Sequence, residues 1–318
     1  MKEERKDVVA GVVQERPFAP ETENGAFRRE ERTFRHGITA DGASGFPADP
    51  DRYHLYVSYG CPWAQRTLIV RTLKRLDALV SVSVVEPVIG PQGWAFGDAA
   101  RGTADTLYGH RYLHELYTQA QPSFTGIVTV PVLWDRRERT IVNNESSEIM
   151  RMFNTAFDAC GGDATVDLYP EPLRPTIDAL NHWIYDDINN GVYQTGFATT
   201  QAVYDHAVDR LFTALDELER RLADQPYLVG ERPTEADWRL FPTLIRFDVA
   251  YHGLFKCNVR RLVDYPCLWD YTRRLYRTPG VAETVRLDHI KRLYYSLSAL
   301  NPTGILPKGP ALDLQTVD

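Results

Sequence analysis

A single cysteine stands between a strand-like run and a helix-like run in YVSYGCPWAQRTLIV, residues 56–70. Pro62 suits the first turn of a helix, because its missing N–H would have no partner there. Cys61 is therefore predicted to be the N-cap residue, facing unpaired N–H groups and the positive end of the helix dipole. Such surroundings lower the pKa of a cysteine thiol from about 8.5 to about 3.5–7.5, and the resulting thiolate is a nucleophile.

No second cysteine completes a CxxC redox pair, because position 64 is Ala64. A mixed disulfide on Cys61 would therefore need an outside thiol to resolve it. The alternative is that Cys61 is only a small residue in a tight turn, and the local pattern leaves both interpretations open. Cys160, Cys257 and Cys267 are interpreted as reduced thiols with structural or incidental roles.

Two further features favour a site for a peptide thiol. Pro131 interrupts the strand-like run TVPVLWD, where proline is normally excluded. A cis Val130–Pro131 bond would explain it, and it would leave the Val130 backbone able to pair with an extended peptide. Glu145 and Ser146 lie where a strand gives way to a helix, whose N–H groups can hold a carboxylate. Plain N-capping is the alternative for this pair.

The elements around these residues predict two domains, as 318 residues allow. Residues 1–50 are predicted to be an extended arm. Residues 51–160 show the order β-α-β-(α)-β-β-α of a thioredoxin-like α/β domain, in which GPQGWAFGD belongs to a long polar loop. Residues 170–318 are predicted to form an all-helical substrate domain with a C-terminal tail.

Three local signals mark helices in the second domain. A glycine cap is expected at Gly191. A leucine stripe, interpreted as core, predicts an amphipathic helix over residues 204–224; its members are Leu211, Leu215, Leu218 and Leu222. Thr234 and Asp237 have the spacing of a capping box, which predicts a helix start.

Composition and charge exclude several classes of function. The net charge of −7 argues against attraction to nucleic acid. No window approaches the ~20 apolar residues of a membrane span, and the charged start of the chain does not resemble a secretory signal, so a cytoplasmic protein is expected. His110 and His114 lie on one helix face, but zinc needs further ligands, and no metal is predicted.

Seven segments together resemble the glutathionyl-hydroquinone reductases, the Xi class of the glutathione transferase superfamily. The matching segments are YGCPWAQR, GPQGWAF, TVPVLWD, IVNNESSEIMRM, NNGVYQTGFA, LVGERPTEADWRLFPTLIRFDVAYH and NPTGILPKGP. The resemblance runs from about residue 30 to the C-terminus. It implies the glutathione transferase fold, an α/β thioredoxin-like domain followed by an all-α domain, together with glutathione as co-substrate and a homodimer.

The resemblance also implies the reaction and its catalytic residues. A glutathionyl-hydroquinone and one glutathione would give the hydroquinone and glutathione disulfide, through a mixed disulfide on Cys61. Tyr193 would donate the proton. Tyr251 and Tyr294 would hold the phenolic oxygens or tune the cysteine.

The same resemblance assigns the residues that bind glutathione. Trp94 would cover the glutathione, and the turn of Val130 and Pro131 would bind its cysteinyl part through the Val130 backbone. Glu145 and Ser146 would hold its γ-glutamyl amine and carboxylate.

Leu293 is a departure from the family pattern, which has a histidine before the tyrosine pair. It leaves open whether Tyr294 or Tyr295 faces the site. The natural quinol, the dimer interface and the choice between glutathione and another γ-glutamyl thiol also remain open. Two other functions are alternatives: an omega-like thiol transferase, acting in deglutathionylation or dehydroascorbate reduction, and a non-catalytic binding protein with the same fold.

Overall fold

The structure of the chain is a computed structural model that describes residues 6–15, 20–98 and 101–315. Contacts between Cα atoms divide the chain into two compact units. Of the described residues, unit 1 holds those before residue 16, Glu30–Val166 and Asp288–Gly304. Unit 2 holds Pro20–Arg29, Asp167–Leu287 and 305–315. The predicted boundaries 1–50, 51–160 and 170–318 stay a prediction.

Unit 1 is built on one five-stranded sheet of order β7-β6-β5-β8-β9, in which only β5 and β6 run parallel. All five side chains of β5 are buried, as expected for a central strand covered on both faces. The strands are β5 (Tyr53–Val57), β6 (Val80–Gly90), β7 (Gly93–Phe96), β8 (Val132–Asp135) and β9 (Thr140–Asn143).

Helices α1 and α3 pack against each other in unit 1. The face of α3 that carries Ile149 and Phe153 is buried, as its spacing predicts. The helices of this unit are α1 (Pro62–Leu73), α2 (Leu113–Ala120), α3 (Ser146–Thr155) and α10 (Leu287–Tyr295).

The interpretation of GPQGWAFGD as polar loop was wrong. Its first residues form a hairpin turn, and Gly93–Phe96 returns as the edge strand β7, with Trp94 opposite Ile89. Gly93 has φ +80°, a conformation that glycine adopts without strain. The polar composition correctly indicated the tight turn, but the strand that follows is too short to give a recognisable pattern.

The N-terminal arm contains two short antiparallel hairpins, which were not predicted. They are β1 (Val8–Val9) with β2 (Val12–Val13), and β3 (Thr22–Glu23) with β4 (Ala26–Phe27). Further along the arm, Arg35 forms an antiparallel bridge with Asn143 of β9. The His36 N–H donates to the Val142 carbonyl at 2.9 Å. The arm thus covers part of the edge of β9. An uncovered edge strand could pair with another chain and aggregate.

Unit 2 is helical, and its longest helix carries the predicted leucine stripe. Leu211, Leu215, Leu218 and Leu222 are all buried on α6. The helices are α4 (Arg174–Ile184), α5 (Gly191–Gly196), α6 (Gln201–Asp224), α7 (Glu235–Leu244), α8 (His252–Leu254) and α9 (Pro266–Tyr276). The predicted capping box of Thr234 and Asp237 starts α7. The buried Asp237 carboxylate also accepts from the Tyr271 hydroxyl at 2.8 Å.

The predicted glycine cap at Gly191 was wrong, because the helical path continues. A π-helical turn, Tyr185–Asn189, follows α4, and Gly191 begins α5. The two asparagines favour a turn in isolation, but here their side chains find tertiary partners. Asn189 Nδ2 donates to Thr243 Oγ1 at 2.8 Å, and Asn190 Oδ1 accepts from Arg29 Nε at 2.9 Å.

A buried polar network lies between β5 and β6. His54 is fully buried, with Nδ1 2.6 Å from Ser81 Oγ and Nε2 2.9 Å from Ser83 Oγ. Burial lowers the pKa of His54 from 6.5 to about 3, and the charge of Arg136 adds to this effect. The imidazole is therefore neutral in the folded protein at neutral pH.

The network predicts a loss of stability in mild acid. Below pH 6.5 the unfolded chain takes up a proton at His54, whereas the folded protein stays neutral down to about pH 3. The contribution of neutral His54 to the free energy of unfolding is present above pH 6.5. The loss of unfolding free energy between pH 7 and pH 5 should be about 2 kcal/mol. Denaturant unfolding at both pH values should show a smaller decrease in the free energy of unfolding for His54→Gln than for the parent chain. His182→Gln, at a side chain that is 83% exposed, should keep the parent decrease, and an equal decrease in all three proteins would contradict the prediction.

Candidate active site

Cys61 occupies the N-cap position of α1, as predicted. Its backbone is extended, with φ −80° and ψ 122°, and Pro62 is the first helical residue. The Cys61 N–H donates to the Ser58 carbonyl at 3.1 Å, which tightens the turn after β5. The sequence folds this way because Gly60 permits the close approach of this turn to its neighbours and Pro62 suits the first position of a helix.

The thiol of Cys61 is oriented by a backbone carbonyl. Sγ lies 3.7 Å from the Val130 carbonyl oxygen, and no hydrogen bond joins it to the first-turn N–H groups of α1. The residue is 8% exposed. Cys61 nevertheless lies at the positive end of the α1 dipole, as expected for an N-cap residue.

The Val130–Pro131 bond is cis, as predicted. It immediately precedes β8, whose Val132 pairs with Tyr56 of β5, and this pairing sets Val130 beside Cys61. Pro131 is accommodated because it precedes the first hydrogen-bonded residue of the strand. Among the described residues, the Val130 N–H has no acceptor, so it can pair with an incoming peptide.

The N-terminus of α3 is capped by the side-chain carboxylate of Glu145. Glu145 is the N-cap residue, and its Oε1 accepts from the Ser147 N–H at 3.0 Å and the Ser147 hydroxyl at 2.9 Å. Ser146 is buried, and in the described part of the chain its backbone N–H has no acceptor. Glu145 therefore caps the helix, and one N–H at this terminus is left for an anion.

A buried tyrosine joins the two segments that carry these residues. The Tyr117 hydroxyl donates to the Thr129 carbonyl at 2.8 Å, and Asn144 Nδ2 donates to the same hydroxyl at 3.2 Å. Thr129 precedes Val130, and Asn144 precedes Glu145. Burial raises the pKa of Tyr117, so the hydroxyl keeps its proton and both hydrogen bonds. Sequence reasoning missed this link, for which no local signal exists.

Helix α10 packs on the turn just before the cysteine. A Cβ added to Gly60 would lie 2.8 Å from Leu293 Cβ, so only glycine permits this approach. The Tyr59 and His289 rings meet edge to face at 5.6 Å. Leu293, the departure from the family pattern, is thus a packing residue. Beside it, Tyr294 is 2% exposed, and burial raises the pKa of the half-buried Tyr295.

Trp94, predicted to cover a ligand, is 7% exposed on the edge strand β7. Its strand position, opposite Ile89, comes from the β6–β7 hairpin. The proposed role of Trp94 stays a prediction.

Tyr193 and Tyr251 lie together in unit 2. Their rings are 5.9 Å apart and meet edge to face. Tyr251 is fully buried at the end of a second π-helical turn, Phe247–Tyr251. Turns of this kind are rare and occur frequently at functional sites. Phe255 contacts both tyrosines, at 5.6 and 5.4 Å between centroids.

Two residues of the arm join this cluster and were missed by sequence reasoning. Phe27 stacks on Tyr193 at 6.1 Å, and the guanidinium carbon of Arg29 lies 4.6 Å from the Tyr193 ring centroid. Nothing in the local sequence of the arm distinguishes them from its other apolar and basic residues.

Two of the other thiols, Cys257 and Cys267, have a raised pKa. Burial raises the pKa of Cys257, which is fully buried. Burial and the neighbouring Glu219 raise the pKa of Cys267. All four cysteines are free thiols, as predicted.

His110 and His114 each contact a polar or aromatic side chain. His110 Nε2 lies 2.8 Å from Gln119 Oε1, and the His114 ring stacks on Tyr112. Within residues 6–15, 20–98 and 101–315, no group of three or more histidine, cysteine or acidic side chains could hold a metal ion. No helix in the same ranges is long and apolar enough to cross a membrane.

Family models match both halves of the chain. Residues 60–156 match the N-terminal domain of glutathione S-transferase, and residues 201–274 match its C-terminal domain. The thioredoxin-like and helical halves, with a cysteine at the first helix start, define a glutathione transferase.

Relatives over the full length narrow the family. The chain is 50% identical to the glutathionyl-hydroquinone reductase YqjG of Escherichia coli over 96% of both chains. It is 47% identical to the glutathionyl-hydroquinone reductase PcpF of Sphingobium chlorophenolicum, over 96% of this chain and 97% of that one. The chain belongs to the glutathionyl-hydroquinone reductases, the Xi class of glutathione transferases, and the predicted family is confirmed.

Solved structures agree with this assignment and with the predicted fold class. The glutathione-bound structure of YqjG matches with a TM-score of 0.88 and 52% identity, covering 89% of this chain and 94% of that one. The Xi transferase of Phanerochaete chrysosporium matches with a TM-score of 0.90 and 48% identity, covering 94% and 97%.

Proposed function

We propose that this protein reduces S-glutathionyl-hydroquinones to hydroquinones, with glutathione as co-substrate and glutathione disulfide as the second product. The observation that carries the proposal is the near-complete match to two relatives named for this activity. The site agrees chemically, because it presents one cysteine at a helix start and Ala64 where a resolving cysteine would stand. A second glutathione must therefore complete the cycle.

The first step forms a mixed disulfide. The Cys61 thiolate attacks the sulfur that joins the glutathionyl group to the quinol ring. A sulfur–sulfur bond forms, the sulfur–carbon bond breaks, and its electron pair remains on the ring carbon. That carbon takes a proton, so the ring is reduced by two electrons while Cys61 and the glutathionyl sulfur are oxidised to a disulfide.

The second step regenerates the enzyme. The thiolate of a free glutathione attacks the glutathionyl sulfur on Cys61. Glutathione disulfide leaves, and Cys61 returns as a thiolate stabilised by the positive end of the α1 dipole. The two steps sum to one hydroquinone and one glutathione disulfide for each glutathionyl-hydroquinone and glutathione consumed.

The roles of the other residues complete the proposal. Tyr193 supplies the proton to the ring carbon, and Tyr251 and Tyr294 bind the phenolic oxygens or tune Cys61, since a phenol can both donate and accept hydrogen bonds. Support for the tyrosine pair comes from the edge-to-face contact of Tyr193 and Tyr251.

Glutathione binding is assigned to a second set of residues. The Val130 backbone, in the turn fixed by Pro131, pairs with the cysteinyl part, and Trp94 covers the peptide. Glu145 and Ser146 hold the γ-glutamyl end. The N–H groups of Val130 and Ser146, which have no acceptor within residues 6–15, 20–98 and 101–315, support this part of the assignment.

Product analysis tests the proposal. With a glutathionyl-hydroquinone and glutathione supplied together, hydroquinone and glutathione disulfide should appear in equal amounts. With the glutathionyl-hydroquinone alone, one hydroquinone should be released for each enzyme molecule. Mass spectrometry should then find one glutathionyl group on the Cys61 peptide.

A Cys61 adduct that exchanges with simple mixed disulfides, without any release of hydroquinone, would instead identify a general thiol transferase. If the protein forms no adduct and releases no hydroquinone, it would be a non-catalytic binding protein. A different thiol on Cys61 after expression would identify another γ-glutamyl co-substrate.

We also propose that the protein is a cytoplasmic homodimer, on the strength of the family resemblance and the composition. Light scattering in solution tests the dimer, for which a mass near that of one 36.3 kDa chain would be the contrary result. Cell fractionation tests the location.

A further inference from the structure

The guanidinium group of Arg29 lies over the ring of Tyr193. Its central carbon is 4.6 Å from the Tyr193 centroid and 5.1 Å from the Phe27 centroid. Both distances are within the range in which a cation interacts with an aromatic face. A positive charge is thus held against the residue proposed to release a proton.

One asparagine orients both partners. Arg29 Nε donates to Asn190 Oδ1 at 2.9 Å, and the Tyr193 N–H donates to the Asn190 carbonyl at 2.9 Å. Asn190 is only 8% exposed, so solvent competes little for these bonds. The guanidinium group is therefore positioned by the same short segment that carries the tyrosine.

The β3–β4 hairpin, which precedes Arg29, packs closely on other residues of the same unit. The Thr199 N–H donates to the Gly25 carbonyl at 3.0 Å, and a Cβ added to Gly25 would lie 3.0 Å from Thr200 Cγ2. Phe27 completes the contact by stacking on Tyr193 and lying 5.3 Å from Phe197. Backbone and aromatic contacts together fix the position of the backbone just before Arg29.

We propose that Arg29 is a positioning residue that promotes proton donation by Tyr193. The inference rests on the proposed function, in which the Tyr193 O–H bond breaks as a C–H bond forms on the quinol ring. That transfer leaves a phenolate until water replaces the proton. A guanidinium at this distance attracts the developing negative charge more strongly than the neutral phenol, so it stabilises the transition state more than the ground state.

The test compares Arg29→Gln with the same change at its neighbour. Arg29→Gln should lower kcat for a glutathionyl-hydroquinone about tenfold, which lies within the range of a cation–π interaction, with little change in KM. The solvent deuterium isotope effect on kcat should rise, because proton transfer becomes slower. Arg29→Lys retains the charge and should recover most of the rate. Arg28→Gln is the matched control, since the Arg28 side chain is 58% exposed and pairs only loosely with Glu23 at 4.0 Å.

Two further measurements separate this inference from the proposed function. Thiol exchange with a simple glutathione mixed disulfide needs no ring protonation, so Arg29→Gln should leave it unchanged. In a Tyr193→Phe background, Arg29→Gln should cause no additional loss. If Tyr193→Phe keeps full quinol turnover, the proposed role of Tyr193 fails.

If Tyr193→Phe is slow and Arg29→Gln is not, the inference about Arg29 alone is overturned. Equal loss of turnover and exchange in Arg29→Gln, or an equal effect of Arg28→Gln, would also overturn it.

Discussion

Cys61→Ser is expected to lose glutathionyl-hydroquinone turnover by a factor on the order of a thousand or more, as removal of a nucleophile does in other covalent enzymes. A serine hydroxyl at this position is a far weaker nucleophile than a thiolate and cannot form a disulfide. The variant should also carry no glutathionyl group after incubation with substrate. Its fold should persist, because serine is a good N-cap residue.

Cys160→Ser is the control for this variant. Cys160 is a half-exposed free thiol whose Sγ lies 3.4 Å from the Ala48 carbonyl, so its replacement should leave turnover unchanged. The rate of Cys61 alkylation against pH gives a second readout. High reactivity already at neutral pH is expected from a thiol at a helix start. Titration near the value of a free thiol, with turnover retained in Cys61→Ser, would refute the covalent mechanism.

Changing Tyr193 and Tyr251 together to phenylalanine should slow quinol turnover by about 10²–10⁴-fold, the usual range for loss of a general acid. Thiol exchange on a simple mixed disulfide should remain nearly intact, since that reaction creates no carbon–hydrogen bond. The rings and their edge-to-face packing are retained in phenylalanine, so the stability of unit 2 should change little. Steady-state kinetics on the two substrates makes the comparison.

Tyr204→Phe is the matched control in the same unit. The Tyr204 hydroxyl donates to the Lys256 carbonyl at 2.9 Å, outside the aromatic cluster, and its loss should affect neither reaction. Equal losses of quinol turnover and exchange in the double variant would show that the tyrosines support the fold or Cys61 rather than the ring.

Much of the fold could be predicted because its signals are local. The period of apolar residues, the Thr234–Asp237 capping box and the proline after Cys61 each act through neighbours in sequence, and each prediction was confirmed. The errors also have a local cause. A four-residue strand such as β7 offers too few positions for a period, and the turn residues before it dominate its composition.

The candidate site residues show the same division between features with a local signal, which could be predicted, and contacts between distant segments, which could not. Cys61 and the cis Val130–Pro131 bond could be predicted from residue types, because helix starts and strand prolines impose special backbone geometry. The partner of the thiol could not, since the Val130 carbonyl comes beside it through the pairing of β5 with β8. The importance of Gly60 likewise depends on α10, which is more than 200 residues away in sequence and belongs to the same unit.

The sequence by itself determined the class of the protein, the two kinds of domain and the candidate nucleophile, because these depend on residue type, spacing and local backbone preference. Only the tertiary structure decided which groups surround the reactive residues. The arm places Phe27 and Arg29 on Tyr193, and Tyr117 links the segments of Val130 and Glu145. Contacts of this kind are set by packing between distant segments, and no short stretch of the chain encodes the partner that it will meet.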